Sequence, residues 1–318
     1  MRVETPVQGH QHHVLKGAAF MVAAMFTFCV VNVVVKDTAA SFPILQLVFF
    51  RNFLAIIPCY LIFKSAGRAA SLKTRHMPTH LLCGSLGVLA LYCLFTSFHV
   101  LPLADATAFS YTSILFVTLF SYVILKEHLD AWRVSAVALG FVGVLIMAKP
   151  SGDVLHTGIF YSLVFAAIDA FVMVSARRLT KDDHPAVVVF YFACVASFVS
   201  ALFLPFGNWV TPDGTQLLKL CFLGLGGGFA QFLLTQAFRH APAVVVAPLT
   251  YTSLVWSVLF GAVLWGDFPT QQLLAGCALV MACGCFMTWR EHKKQSTFAK
   301  ELLLKDRVRK AVFEGLSG

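Results

Sequence analysis

Two polar triplets, Tyr111-Thr112-Ser113 and Tyr251-Thr252-Ser253, sit in otherwise apolar stretches 140 residues apart. Phenol rings can stack on a solute and hydroxyls can hydrogen-bond one, so the triplets point to binding rather than to bond-breaking chemistry. Trp256, one helical turn beyond Thr252, joins them as a candidate. Tyr92 and Thr96 are four residues apart and share one face of a helix. Gln231 and Gln236 follow Gly226-Gly227-Gly228, a run that lets another backbone approach closely or lets the helix loosen. Two charges complete the set, Arg51 in LVFFRNFLAIIP and Asp169 in an apolar run. Arg51 stays charged, so it must face protein or water. It either clamps a carboxylate or phosphate, or locks two helices by pairing with Asp105. Asp169 can carry a proton, face a cationic group, or cap a buried network that Asn32 could join. For every hydroxyl here the competing role is packing between helices.

The elements that must position these residues follow from composition. The chain has 318 residues, 58% hydrophobic and only 12% charged, with 31 Phe. A soluble domain carries about 25% charged residues, so this chain needs lipid to coat it. A helix crosses the hydrocarbon with about 20 apolar residues. Ten such spans fit, over 17–36, 45–63, 80–100, 103–125, 131–148, 157–178, 186–206, 216–238, 243–265 and 271–289. The alternation of a membrane β-barrel is absent. The expected fold is an all-α membrane protein of ten transmembrane helices.

Lys and Arg accumulate in cytoplasmic loops. Here they cluster in the even connections (Lys64, Arg68, Lys73 and Arg75; Lys126 and Arg133; Arg177, Arg178 and Lys181; Arg239) and in the tail after Trp289. The odd connections hold Lys36, Lys149 and Lys219. Both termini are therefore expected in the cytoplasm, with the chain in the cytoplasmic (inner) membrane. The net charge of +9 is topological and does not predict nucleic-acid binding. The nine cysteines fall inside spans and read as small packing residues. His10, His12 and His13 read as part of a cytoplasmic arm, residues 1–16. The tail, 290–318, places Phe298, Leu302, Val308, Val312 and Leu316 near helical spacing, which fits either a basic amphipathic helix on the inner leaflet or a disordered basic tail. No HExxH, GxSxG, CxxC or Walker A pattern occurs, so neither an enzyme nor a metal or other cofactor is expected.

Shifted by 140, the chain repeats itself. Gly84 falls on Gly224, Gly87 on Gly227, Pro102 on Pro242, Tyr-Thr-Ser on Tyr-Thr-Ser, and Glu127 on Asp267. A shift of 141 puts Gly17 on Gly158 and Lys36 on Arg177, with Phe28 or a neighbour at the place of Asp169; a shift of 142 puts Pro43 on Pro185. Residues 17–149 and 150–289 are thus two five-helix copies. Five crossings is odd, so the second copy starts on the opposite side and the repeats are inverted. Such a pair can pack in two equivalent ways, which is the basis of alternating access.

With these motifs in place the chain resembles the EamA-type drug/metabolite transporters. The resemblance rests on Pro102-Leu103-Ala104-Asp105-Ala106 entering the fourth span, Lys126-Glu127-His128 closing it, Arg51 in the second span, and Ala241-Pro242-Ala243 with Gly266-Asp267 in the second copy. It covers residues 15–290 and implies ten helices, a central cavity and transport of small organic solutes. The fourth and ninth spans are similar to those of members that move riboflavin or S-adenosylmethionine, and an amino-acid-like solute also fits the family. The expected function is secondary transport by alternating access, with Tyr111, Tyr251, Gln231 and Gln236 at the heart of the site; a lipid flippase is the alternative. The duplication makes a monomer sufficient.

Overall fold

Backbone amides cannot stay unpaired in hydrocarbon, so each apolar stretch closes its hydrogen bonds internally as a helix. The computed structural model describes residues 6–65, 72–125, 131–148, 157–241, 243–246, 248–290 and 293. These form α1 (Pro6–Thr38), α2 (Ile44–Ser65), α3 (Met77–Val100), α4 (Leu103–Ser110), α5 (Ser113–Leu125), α6 (Ala131–Ala148), α7 (Thr157–Leu179), α8 (Pro185–Phe203), α9 (Gly214–His240), α10 (Ala243–Val246), α11 (Thr252–Trp265) and α12 (Gln271–Arg290). Ten spans are long and apolar enough to cross a membrane, and no strand occurs among the described residues. Large apolar side chains such as Phe198, Leu218 and Val263 point outward, where lipid meets them. This is an integral membrane protein. Its expected tail helix, and Glu127, lie outside the described residues, as do the side chains of His10, His12 and His13.

The packing is organised by a pseudo-two-fold axis. α1 packs on α9 as α7 packs on α3; α2 packs on α9 as α8 packs on α3; α2 meets α8, and α4 meets α11, across the axis itself. The glycines repeat this symmetry residue by residue. Gly84 faces Val195 while Gly224 faces Leu54, and Gly17 faces Ala241 while Gly158 faces Leu101. Each contact is so close that a methyl group would collide with its neighbour. The triple glycine serves the same end: Gly226 faces Val31 of α1, and Gly227 and Gly228 face Arg51 and Pro58 of α2.

The fourth and ninth spans are broken helices. α4 ends at Ser110 and α5 restarts at Ser113, with Tyr111 in the break. In the ninth span a 3₁₀ turn, Pro248–Tyr251, precedes α11. The two tyrosines have nearly the same backbone angles, φ −65° and ψ −13° at Tyr111 and φ −66° and ψ −12° at Tyr251. α11 stops at Gly266, whose φ of 70° is the left-handed cap that glycine adopts without strain.

Candidate functional site

A cavity of about 420 Å³ lies at mid-bundle on the pseudo-two-fold axis. Its walls come from both halves: Phe28 and Asn32 of α1, Arg51 of α2, Leu91, Phe95 and Phe98 of α3, Thr107 and Ser110 of α4, Phe165 and Asp169 of α7, Phe192 of α8, Gln231 of α9 and Ser253 of α11. Aromatic and aliphatic groups dominate, with a few polar groups converging between them, which is the make-up of a small-molecule site.

The two charges in the wall are not neutralised by each other. Arg51 donates from Nη1 to Asn52 Oδ1 at 3.3 Å, and its Nε lies 3.4 Å from where a Cβ on Gly227 would stand. Among the described residues no ion pair engages Arg51 or Asp169, and the Asp169 carboxylate and the Gln231 side chain accept or donate no hydrogen bond. The expected lock between Arg51 and Asp105 does not form. Asp105, at the start of α4, instead lies within electrostatic reach of Lys36 and Asp267, because Arg51 sits far enough along α2 to turn into the cavity.

The structure brings Arg51, Asp169 and Gln231 together at the cavity wall. Tyr111 and Tyr251 stand behind that wall, packed edge to face on the axis with ring centroids 4.9 Å apart. The Tyr111 hydroxyl donates to Thr250 O at 2.9 Å and contacts the Ser253 hydroxyl, which itself lines the cavity. Thr112 is fully buried beside the helix break, while Thr252 donates to Leu249 O at 2.7 Å and caps the turn. Ser113 opens α5 and is absent from the cavity wall. Trp256 packs edge to face on Phe26, centroids 5.1 Å apart. Tyr92 is 36% exposed on the outside of the bundle, and Thr96 donates to its carbonyl at 2.7 Å. Gln236, one turn past Gln231 and rotated away, is likewise outside the wall, its backbone carbonyl 2.9 Å from His240 Nδ1.

Sequence reasoning gave no site role to Thr107, Ser110, Phe165 or Phe192. The spacing of Thr107 and Ser110, just ahead of the Tyr-Thr-Ser triplet, could have pointed to them. The aromatic walls could not be distinguished among so many phenylalanines.

A description of the EamA-like transporter family matches the chain twice, over residues 15–149 and 156–290. The chain belongs to the EamA-like transporter family. It is similar to the pseudopaline exporter of Pseudomonas aeruginosa, 33% identical over 273 residues that cover 84% of this chain and 94% of that one. It is similar also to the riboflavin transporter of Vibrio cholerae, at 29% identity over 89% of this chain and 96% of that one. The S-adenosylmethionine uptake transporter of Rickettsia prowazekii is 26% identical over the same shares, 89% and 96%. One solved crystal structure shares the fold, with a TM-score of 0.59 at 19% identity over 89% of this chain and 98% of that one. The protein is a solute transporter built from the family's two repeats.

Both ends of this EamA-like transporter are tied by polar contacts. At the end away from the N-terminus, Lys36 Nζ donates to Asp267 Oδ2 at 3.2 Å and to Leu101 O at 3.0 Å, and lies 4.9 Å above the Trp265 ring. Nearby, Lys219 pairs with Asp37 at 2.6 Å. At the N-terminal end, Asp183 Oδ2 accepts from Thr74 Oγ1 at 2.6 Å and from His80 Nε2 at 2.9 Å, joining the first half to the second. Asp182 and His76 make a parallel contact at 3.0 Å, and Tyr191 donates to Leu72 O at 2.7 Å. Burial alone would raise the Asp183 carboxyl. The hydrogen bonds from Thr74 and His80, with the charges of His80 and His76, outweigh it and hold the group below its ordinary value.

Proposed function

We propose that this protein is a secondary transporter that binds a small organic solute in the central cavity and releases it on the other side by alternating access. The carrying observation is that an arginine and a carboxylate face one cavity on the pseudo-two-fold axis with no ion-pair partner among the described residues. Charge inside a membrane protein is costly and persists where it has a partner or a task; here the solute is the partner. Two inverted halves, residues 17–149 and 150–289, rocking about that site would expose it to each side in turn. The relatives named as carrying riboflavin, S-adenosylmethionine and pseudopaline support a polar metabolite as cargo. The basic even-numbered loops support insertion in the cytoplasmic membrane with both termini inside, where the duplicated chain works as a monomer.

The test is uptake and efflux of radiolabelled metabolites in proteoliposomes, with and without a pH gradient, comparing wild type with Arg51→Gln and Asp169→Asn. Flux lost in both variants while their gel-filtration profiles match wild type is the expected result. Flux unaffected by either substitution would exclude this cavity as the route.

A further inference from the structure

Where α6 begins and α12 ends, aromatic and cationic side chains form a cluster outside the central cavity. Trp132 of α6 packs edge to face on Phe286 of α12, with centroids 6.0 Å apart and planes at 85°. Phe286 in turn meets Trp289 at 6.2 Å. Two guanidinium groups from different helices converge on the one Trp132 ring, Arg290 with its Cζ 5.2 Å from the centroid and Arg133 at 5.5 Å. Lys293 Nζ stands 5.6 Å from the centroid of the Trp289 ring. Three cations thus rest on two indoles, and neither α6 nor α12 contains an acidic residue.

Helix packing does not call for this arrangement. α6 and α12 are held at their crossing by Gly143 against Gly276, and the repeat supplies a comparison on the same pair of helices. A shift of 140 puts Trp132 on Gln272, Arg133 on Leu273, Phe286 on Ile146 and Arg290 on Pro150. The corresponding positions at the other end hold neither an aromatic ring nor an arginine.

The two guanidinium groups share a centroid at about 5 Å each, so they stand at most about 11 Å apart. Like charges at that separation repel, and an anion shared between them turns the repulsion into attraction. The guanidinium fork takes two phosphate oxygens at once. The setting selects the source of that phosphate. Phe286 and Trp289 are 40% and 53% exposed on the outer face of the bundle, where lipid is the solvent. Indoles favour the depth of the headgroups, and basic clefts between spans hold anionic headgroups there. We propose that Arg133, Arg290 and Lys293, gathered on Trp132 and Trp289, bind the phosphate of one anionic phospholipid whose acyl chain lies along Phe286. Because α6 belongs to the first repeat and α12 to the second, this lipid bridges the two repeats. It is a bound partner of the transporter and not its cargo.

The experiment titrates the full chain, stripped of lipid in detergent, with phosphatidylglycerol or phosphatidylcholine of matched acyl chains, and counts bound lipid by native mass spectrometry. One phosphatidylglycerol should be retained at least about tenfold more tightly than phosphatidylcholine. Arg133→Gln and Arg290→Gln should each weaken it about fivefold, the effect of one basic residue at an anionic headgroup. Trp132→Leu keeps every charge and should also lose the preference. Arg239→Gln, which removes a cation at the end of α9 away from the cluster, should retain it in full. Equal retention of the two lipids by wild type overturns the proposal without any variant, as it would if the acids nearest in sequence, Asp130 and Glu291, already satisfied these cations. A loss in Arg239→Gln as large as in Arg290→Gln overturns it in favour of net charge alone. Displacement of phosphatidylglycerol by millimolar inorganic phosphate overturns it in favour of a soluble anion.

Discussion

Lys36 ties the end of the bundle away from the N-terminus, and its removal should loosen that end by a calculable amount. The ammonium group holds Asp267 and the Leu101 carbonyl at 3.2 and 3.0 Å and stands 4.9 Å over Trp265. The Lys36 side chain is 13% exposed and that of Asp267 30%, so the pair is only partly screened. A partly exposed ion pair contributes about 1 kcal/mol, a charged hydrogen bond to a carbonyl about 1.5, and a cation–π contact about 0.5. The three share one ammonium group and do not add fully, which leaves about 2 kcal/mol. Lys36→Met keeps the packed stem and removes only the charge. If this end opens when the halves rock, the variant should open about 30-fold more often, since about 1.4 kcal/mol is tenfold. Hydrogen exchange read by mass spectrometry on the native chain reports this directly, as faster exchange across Leu101–Asp105 and Trp265–Phe268. Asp267→Asn, which loses the ion pair alone, should give a smaller change. Unaltered exchange in Lys36→Met, or a uniform rise over the whole protein, would refute the assignment of this contact as a seal.

Asp183→Ala leaves the His80 and Thr74 donors without their acceptor where the His80 and Asp183 side chains are 1% and 7% exposed, and should cost about 3 kcal/mol in detergent unfolding. Because the folded Asp183 carboxyl lies below its ordinary value, its stabilisation is complete above the ordinary carboxylate pKa and is lost as pH falls through the depressed one. Asp183→Asn should lack that acid-side loss in a pH series of melting temperatures. Tyr111→Phe removes the hydroxyl that steadies Thr250 and Ser253 and should raise KM up to about tenfold through lost positioning, whereas Tyr92→Ala on the outer face should change it by less than about twofold. A methyl group on Gly143 would come 2.8 Å from Gly276 O at the α6–α12 crossing. Gly143→Ala should therefore lower stability by about 1–3 kcal/mol, while Gly214→Ala, with nothing within 4 Å, should not.

What the sequence by itself determined is the medium, the number of crossings and the duplication. Apolar length is a one-dimensional property, and a repeat is visible wherever Pro, Gly and Tyr-Thr-Ser recur at one offset. It also picked out Arg51, Asp169 and Gln231, because polar groups in lipid-length spans are costly and therefore conspicuous. Which of the other polar residues face the cavity was decided only by tertiary structure. A repeat gives register along a helix but not its rotation about its own axis, and that rotation is set by glycine contacts between helices distant in sequence, such as Gly227 on Arg51. The Tyr-Thr-Ser triplets illustrate this best: they sit where the fourth and ninth spans break. The break carries Tyr111 and Tyr251 off the helical face assumed for them, onto each other across the axis, and leaves Ser110 and Ser253 toward the cavity.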